Sequence, residues 1–153
     1  MRTVEGWVEG PLRAFVDDAA PRLTLIMTGS GQVVAQHGFA RSLDVMSAAA
    51  LGAGIMASSQ ELTVLMDWPE FRVLAHQGVR QSHMLARIVL PQSSWIGLVV
   101  FGSETKLGVV QFFFDRMVEQ LSAAAPVVQQ PKQVLAIDFE RELNASLRTL
   151  FGR

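Results

Sequence analysis

The spacing of apolar positions changes several times along the chain, and each change marks an element. From Trp7 to Ala20 the apolar positions Val8, Leu12, Phe15, Val16 and Ala19 recur every three to four residues, the period of one helix face, and Pro21 closes the segment. Arg22–Thr28 (RLTLIMT) and Gln32–His37 (QVVAQH) are strand-like runs joined by Gly29-Ser30-Gly31, which predicts a β-hairpin ending at Gly38. Ser42–Met66 has the length of a long helix, with Ser42 as the expected N-cap and Pro69 just beyond its end. Phe71–Gln77, Ser82–Leu90 and Trp95–Phe101 then predict three strands of an antiparallel meander, parted by Gly78-Val79-Arg80 and by Pro91-Gln92-Ser93-Ser94. A further helix is expected over Lys106–Ala124, capped by Ser103 or Thr105.

The resulting order of helix, two strands, helix, three strands and helix implies an α+β fold: a five-stranded antiparallel sheet with helices on its faces, over residues 7–125. Residues 126–132, with prolines at 126 and 131, suggest an extended linker. Over 133–153, Leu135, Phe139, Leu143, Leu147 and Leu150 form the stripe of an extra, C-terminal amphipathic helix. That stripe is expected to dock on an apolar surface.

The middle helix changes the picture most. Leu43, Met46, Ala50, Ala53, Ala57 and Val64 form one apolar stripe, and Val45, Ala49, Gly52, Met56 and Ser59 form a second beside it, with only Asp44 and Glu61 charged between Ser42 and Met66. A helix apolar nearly all round has to be buried nearly all round, whereas a single sheet covers one side. The meander places the strand after this helix at a sheet edge, and that strand holds no proline, lysine or glycine to discourage pairing. A homodimer follows as an expectation, built from the helix residues Ala49, Gly52, Ala53 and Met56 and the strand residues Phe71, Val73 and Ala75 about a twofold axis.

Composition narrows the function. With 13 Lys+Arg against 14 Asp+Glu the net charge is −1, which argues against nucleic acid as a partner. Hydrophobic residues reach 50% and charged ones only 18%, a balance that favours surplus apolar surface. The absence of cysteine removes disulfides, thiolate nucleophiles and cysteine-ligated metal. Glu5 and Glu9 interrupt the place of a signal peptide, and the longest apolar run, Ala48–Ala57, is too short to insert in a membrane, so a cytoplasmic location is expected.

No motif points to chemistry. Gly29-Ser30-Gly31 lacks the Lys-Ser/Thr at a helix start that a phosphate loop needs. His37, His76 and His83 show no metal-ligand spacing. Ser93-Ser94 follows a proline and has no nucleophile-elbow context, and Gly52-x-Gly54 lies inside a helix, where packing explains it better than nucleotide binding. The sequence therefore predicts no catalytic residue, metal or cofactor. In Phe112-Phe113-Phe114 the ~100° turn per helical residue keeps the three rings from facing the sheet together.

The order of elements, RLTLIMTGSGQVVAQHG from Arg22 to Gly38, LDVMSAAALGAGIMASSQEL from Leu43 to Leu62, and FRVLAHQGVRQSHMLARIVL resemble the Roadblock/LC7 (dynein light chain, LAMTOR) family over about Trp7–Ala124. Phe71, the His76-Gln77-Gly78 turn, Glu104-Thr105 and Leu107-Gly108 resemble its bacterial gliding-motility regulator branch. The resemblance implies dimers with a continuous sheet and a non-catalytic regulator or scaffold of a small Ras-like GTPase, acting without an inserted arginine. In that reading Asp44, Ser47 and Leu51 on the paired middle helices touch the GTPase. The alternative is a structural or ligand-sensing module of the related profilin-like shape, with a pocket between sheet and helices. The C-terminal helix lies outside the resemblance.

Overall fold

A computed structural model describes residues 1–39, 41–127 and 131–151, with side chains for all of these except Leu43 and residues 131–139. Six strands form one antiparallel sheet: β1 (Arg2–Thr3), β2 (Leu23–Thr28), β3 (Val33–His37), β4 (Val73–Gln77), β5 (Gln81–Val89) and β6 (Ser94–Gly102), in the order β1-β3-β2-β6-β5-β4. The helices are α1 (Gly6–Ala19), α2 (Ser42–Leu65), α3 (Leu107–Ala124) and α4 (Pro131–Phe151). The sheet has one strand more than expected. Arg2–Thr3 pairs with Gln36 and Ala35 of β3, a two-residue contact with too little hydrophobic alternation to signal a strand.

The hairpin is as expected. Thr28 N–H donates to Gln32 O at 2.8 Å, the Thr28 hydroxyl accepts from Gln32 N–H at 3.0 Å, and Gly31 supplies a φ of 88°, a backbone state open to glycine at no steric cost. The expected caps are corrected. Ser42 is the first helical residue of α2 and Arg41 its N-cap, while Lys106 precedes α3; neither cap residue makes a side-chain hydrogen bond to its helix.

The sheet separates two cores. On one face α1 (Val8, Leu12, Phe15, Ala19) and α3 (Val110, Phe114, Met117, Leu121) pack on Ile26, Ala35, Met84, Ala86, Ile88, Val99 and Phe101. On the other, among the described residues, α2 alone packs on Leu25, Met27, Leu85 and Ile96. Two helices shelter the first face; a single helix covers the second. Of the aromatic triplet, Phe114 is buried and meets Phe15 of α1 edge-on at 6.0 Å between centroids, Phe113 is half-buried, and Phe112 is exposed.

The tail expectation is revised. Pro131 opens α4 instead of closing a linker, a helical position where proline loses no hydrogen bond. Residues 140–151 are exposed throughout, including Leu143, Leu147 and Leu150, so this part of the stripe does not dock on its own subunit. Leu135 and Phe139 carry no described side chain, and residues 128–130 of the expected linker lie outside the described residues.

A candidate partner-binding surface on α2 and β4

Helical period decides what α2 offers to a partner. Val45, Ala49, Gly52, Ala53 and Met56 fall on one side and are buried against the sheet, Ala49 to 0% exposure and Met56 to 1%. Gly52 sits so close that a Cβ would lie 3.1 Å from Met27 Cε. Its lack of a side chain therefore serves contact with this chain's own sheet. The four helix residues expected at the dimer interface, Ala49, Gly52, Ala53 and Met56, are thus buried within this subunit, because they lie on the side of α2 that packs on the sheet.

The other side stays open. Met46, Ala50, Gly54, Ala57 and Val64 run along one outward flank, and Asp44, Leu51, Ile55 and Leu62 along the other, with Ser47, Ser58 and Leu65 between them. Leu51 is 68% exposed and Leu65 80%. No heavy atom lies within 4 Å of a Cβ built on Gly54, so space is free above the helix there. Asp44, Ser47 and Leu51 are all exposed on this side, and the only charge partner of Asp44 among the described residues is Arg41, at 3.6 Å.

The apolar band continues past the end of α2. Val64, Trp68 and Phe71 line an open cleft of ≈ 520 Å³ together with Gln60, Glu61 and Arg87. Arg87 fastens this end: it donates to Glu70 Oε1 at 2.5 Å, and Gln60, with its amide oxygen turned inward, accepts from Arg87 Nε at 2.7 Å. Phe71 and Leu74 pack under α2, and β4 then runs along the sheet edge with one side of its backbone unpaired in the sheet. Val73 and Ala75 face the α1–α3 side, opposite Ala86 and Met84 of β5. Of the expected strand residues, Phe71 and Val73 are half-buried and Ala75 is exposed, all at or beside this free edge.

Three features of the site escape a reading of the sequence. The inward–outward division of α2 is hidden because both stripes are apolar. Arg87 signals nothing in a strand run, and the Trp68–Phe71 connection reads as a loop. A second cleft, of ≈ 470 Å³, lies between Trp7, Leu90, Ser93, Ser122 and Ala125; the indole N–H of Trp7 is buried without a hydrogen-bond partner, and its ring stacks on Trp95 at 5.4 Å. Among the described residues no three potential ligands gather in a metal site, and no helix is long and apolar enough to cross a membrane.

Compared with solved structures, the chain superposes on Myxococcus xanthus MglB with a TM-score of 0.69 at 22% identity, covering 78% of this chain and 95% of that one. A Roadblock/LC7 domain from Streptomyces avermitilis gives a TM-score of 0.63 at 14% identity, over 78% of this chain and 95% of that one. The chain has a Roadblock/LC7 fold. An MglB solved in a tetrameric arrangement matches this Roadblock/LC7 fold with a TM-score of 0.66 at 21% identity, over 79% of this chain and 91% of that one. No family model and no curated protein matches the sequence.

Proposed function

We propose that the chain is a cytoplasmic, non-catalytic homodimeric regulator of a small Ras-like GTPase, acting as activator or scaffold. One observation carries the reading: the outward side of α2 is open and mostly apolar, with Asp44, Ser47, Ser58 and Glu61 as its polar positions, and Trp68 and Phe71 extend it toward the unpaired edge of β4. Contiguous exposed apolar surface of this kind marks protein interfaces. The small residues Ala50, Gly54 and Ala57 allow two α2 helices to approach closely while β4 pairs with β4 of the second copy. Asp44, Ser47 and Leu51, on the neighbouring flank, remain for the GTPase. The family resemblance of the sequence and the superposition on MglB support this assignment. Phosphoryl transfer depends mainly on positioning and electrostatics, so a protein that only reshapes its partner's switch segments can change the rate while contributing no reacting group.

The test is retention of the Ras-like GTPase from the same cell on the immobilised chain. The GTP-analogue form is expected to be held at least tenfold more tightly than the GDP form, and Leu51→Glu is expected to abolish the difference. Equal or absent binding of both forms contradicts the reading. The Trp7 cleft, with its orphaned indole N–H, favours a second reading, a small-ligand sensor of profilin-like shape. A small molecule retained through purification and lost on Trp7→Phe would support it.

A further inference from the structure

The only stacked imidazole pair among the described residues lies beside the free sheet edge. His76 of β4 and His83 of β5 are direct partners in the antiparallel register, their rings 5.0 Å apart and 8° from parallel. Neither ring has a hydrogen bond or ion pair among the described residues. The turn at Gly78–Arg80 separates the two by seven positions in sequence, so register alone brings them together.

We propose that His76 and His83 form a two-imidazole chelate for a divalent transition-metal ion that prefers nitrogen ligands, such as Zn²⁺ or Cu²⁺. Zinc–imidazole bonds are ~2.0–2.1 Å long, so a common ion needs the two donor nitrogens roughly 3 Å apart. Rings already face to face on opposed Cβ atoms reach that arrangement by turning about their side-chain torsions, with the backbone fixed by the β4–β5 ladder. Imidazole suits zinc and copper, and copper binds the more tightly of the two. His76 is exposed, so the remaining coordination positions are open to water or to a group brought by a second copy. A bound ion would clip the edge strand to the body of the sheet. The inference is independent of the GTPase reading.

The test is isothermal titration of Zn²⁺ into the untagged, chelator-stripped full chain at pH 7.5. One ion per chain is expected to bind, with micromolar affinity, and at about a hundredfold excess over Kd the Tm should rise by roughly 5–10 °C. His76→Gln, at an exposed edge position where the fold is indifferent to it, is expected to weaken binding at least tenfold. His83→Gln should do the same, while His37→Gln leaves it unchanged. Zinc binding of equal strength in His76→Gln, or binding only at millimolar zinc, overturns the proposal.

Discussion

Two residues show how closely the α1–α3 side of the sheet is fitted. Gly97 of β6 lies beneath Phe114, where a Cβ would stand 2.6 Å from the ring carbons Cε2 and Cζ. The ring has no room to retreat because Phe15 meets it from α1. Gly97→Ala is therefore expected to lower stability by ~1–3 kcal/mol in chemical denaturation, and Phe114→Leu in the same chain should recover part of that loss, a coupling that a double-mutant cycle reads directly. His83 makes a second prediction. Desolvation and then the charge of His76 depress its pKa below 6.5. As the pH falls, the unfolded chain takes up the proton first, so the stability this residue contributes is present above about pH 6.5 and is lost as the pH falls below that toward the lowered folded pKa. Thermal melts between pH 7.5 and 5.5 should decline less steeply in His83→Gln than in the parent chain. Neither feature was visible in the sequence: an isolated glycine in a strand names no partner, and two histidines seven positions apart become neighbours only through the register.

At the scale of elements, periodicity carried the reading wherever one side of an element is polar. The α1 stripe Val8, Leu12, Phe15 and Ala19 is buried as its spacing indicates, and the hairpin about Gly29–Gly31 and the meander from β4 to β6 follow from alternation and turn residues. It failed to orient α2, because a helix with apolar residues on every side has no preferred direction in its sequence; only the fit of Gly52 over Met27 selects the inner stripe. The two-residue β1 was missed because it is held by backbone pairing to β3 and contributes no buried side chain. The helix caps were misplaced by one to three residues because Arg41 and Lys106 open the helices without side-chain bonds. For α4, whose residues 140–151 are all exposed, removal of residues 140–153 is expected to leave the Tm of the remaining chain within about 2 °C, since residues 140–151 bury no apolar area. A larger fall in differential scanning calorimetry would mean that the tail packs on the fold after all.

For the whole molecule, the asymmetry between the two faces of the sheet is the governing fact. Two helices shelter one face, whereas α2 on the other turns Leu51, Ile55, Leu62 and Leu65 toward solvent in a single subunit. In the proposed dimer a second copy, applied about a twofold axis, would cover the Ala50–Gly54–Ala57 flank and the β4 edge together. Gly54 offers a clean way to separate folding from association, because its outward position is empty. Gly54→Lys should preserve the fold, with lysine favoured over glycine in a helix by roughly 0.5–1 kcal/mol, yet place two like charges where the helices meet and raise the dimer dissociation constant at least tenfold. The most direct measurement is the mass of the full chain in solution by light scattering at micromolar concentration. A value near twice the 16.8 kDa of one chain, falling toward one chain in Gly54→Lys, is the predicted result; a parent protein that stays at the mass of a single chain with the outer side of α2 open to water contradicts the account.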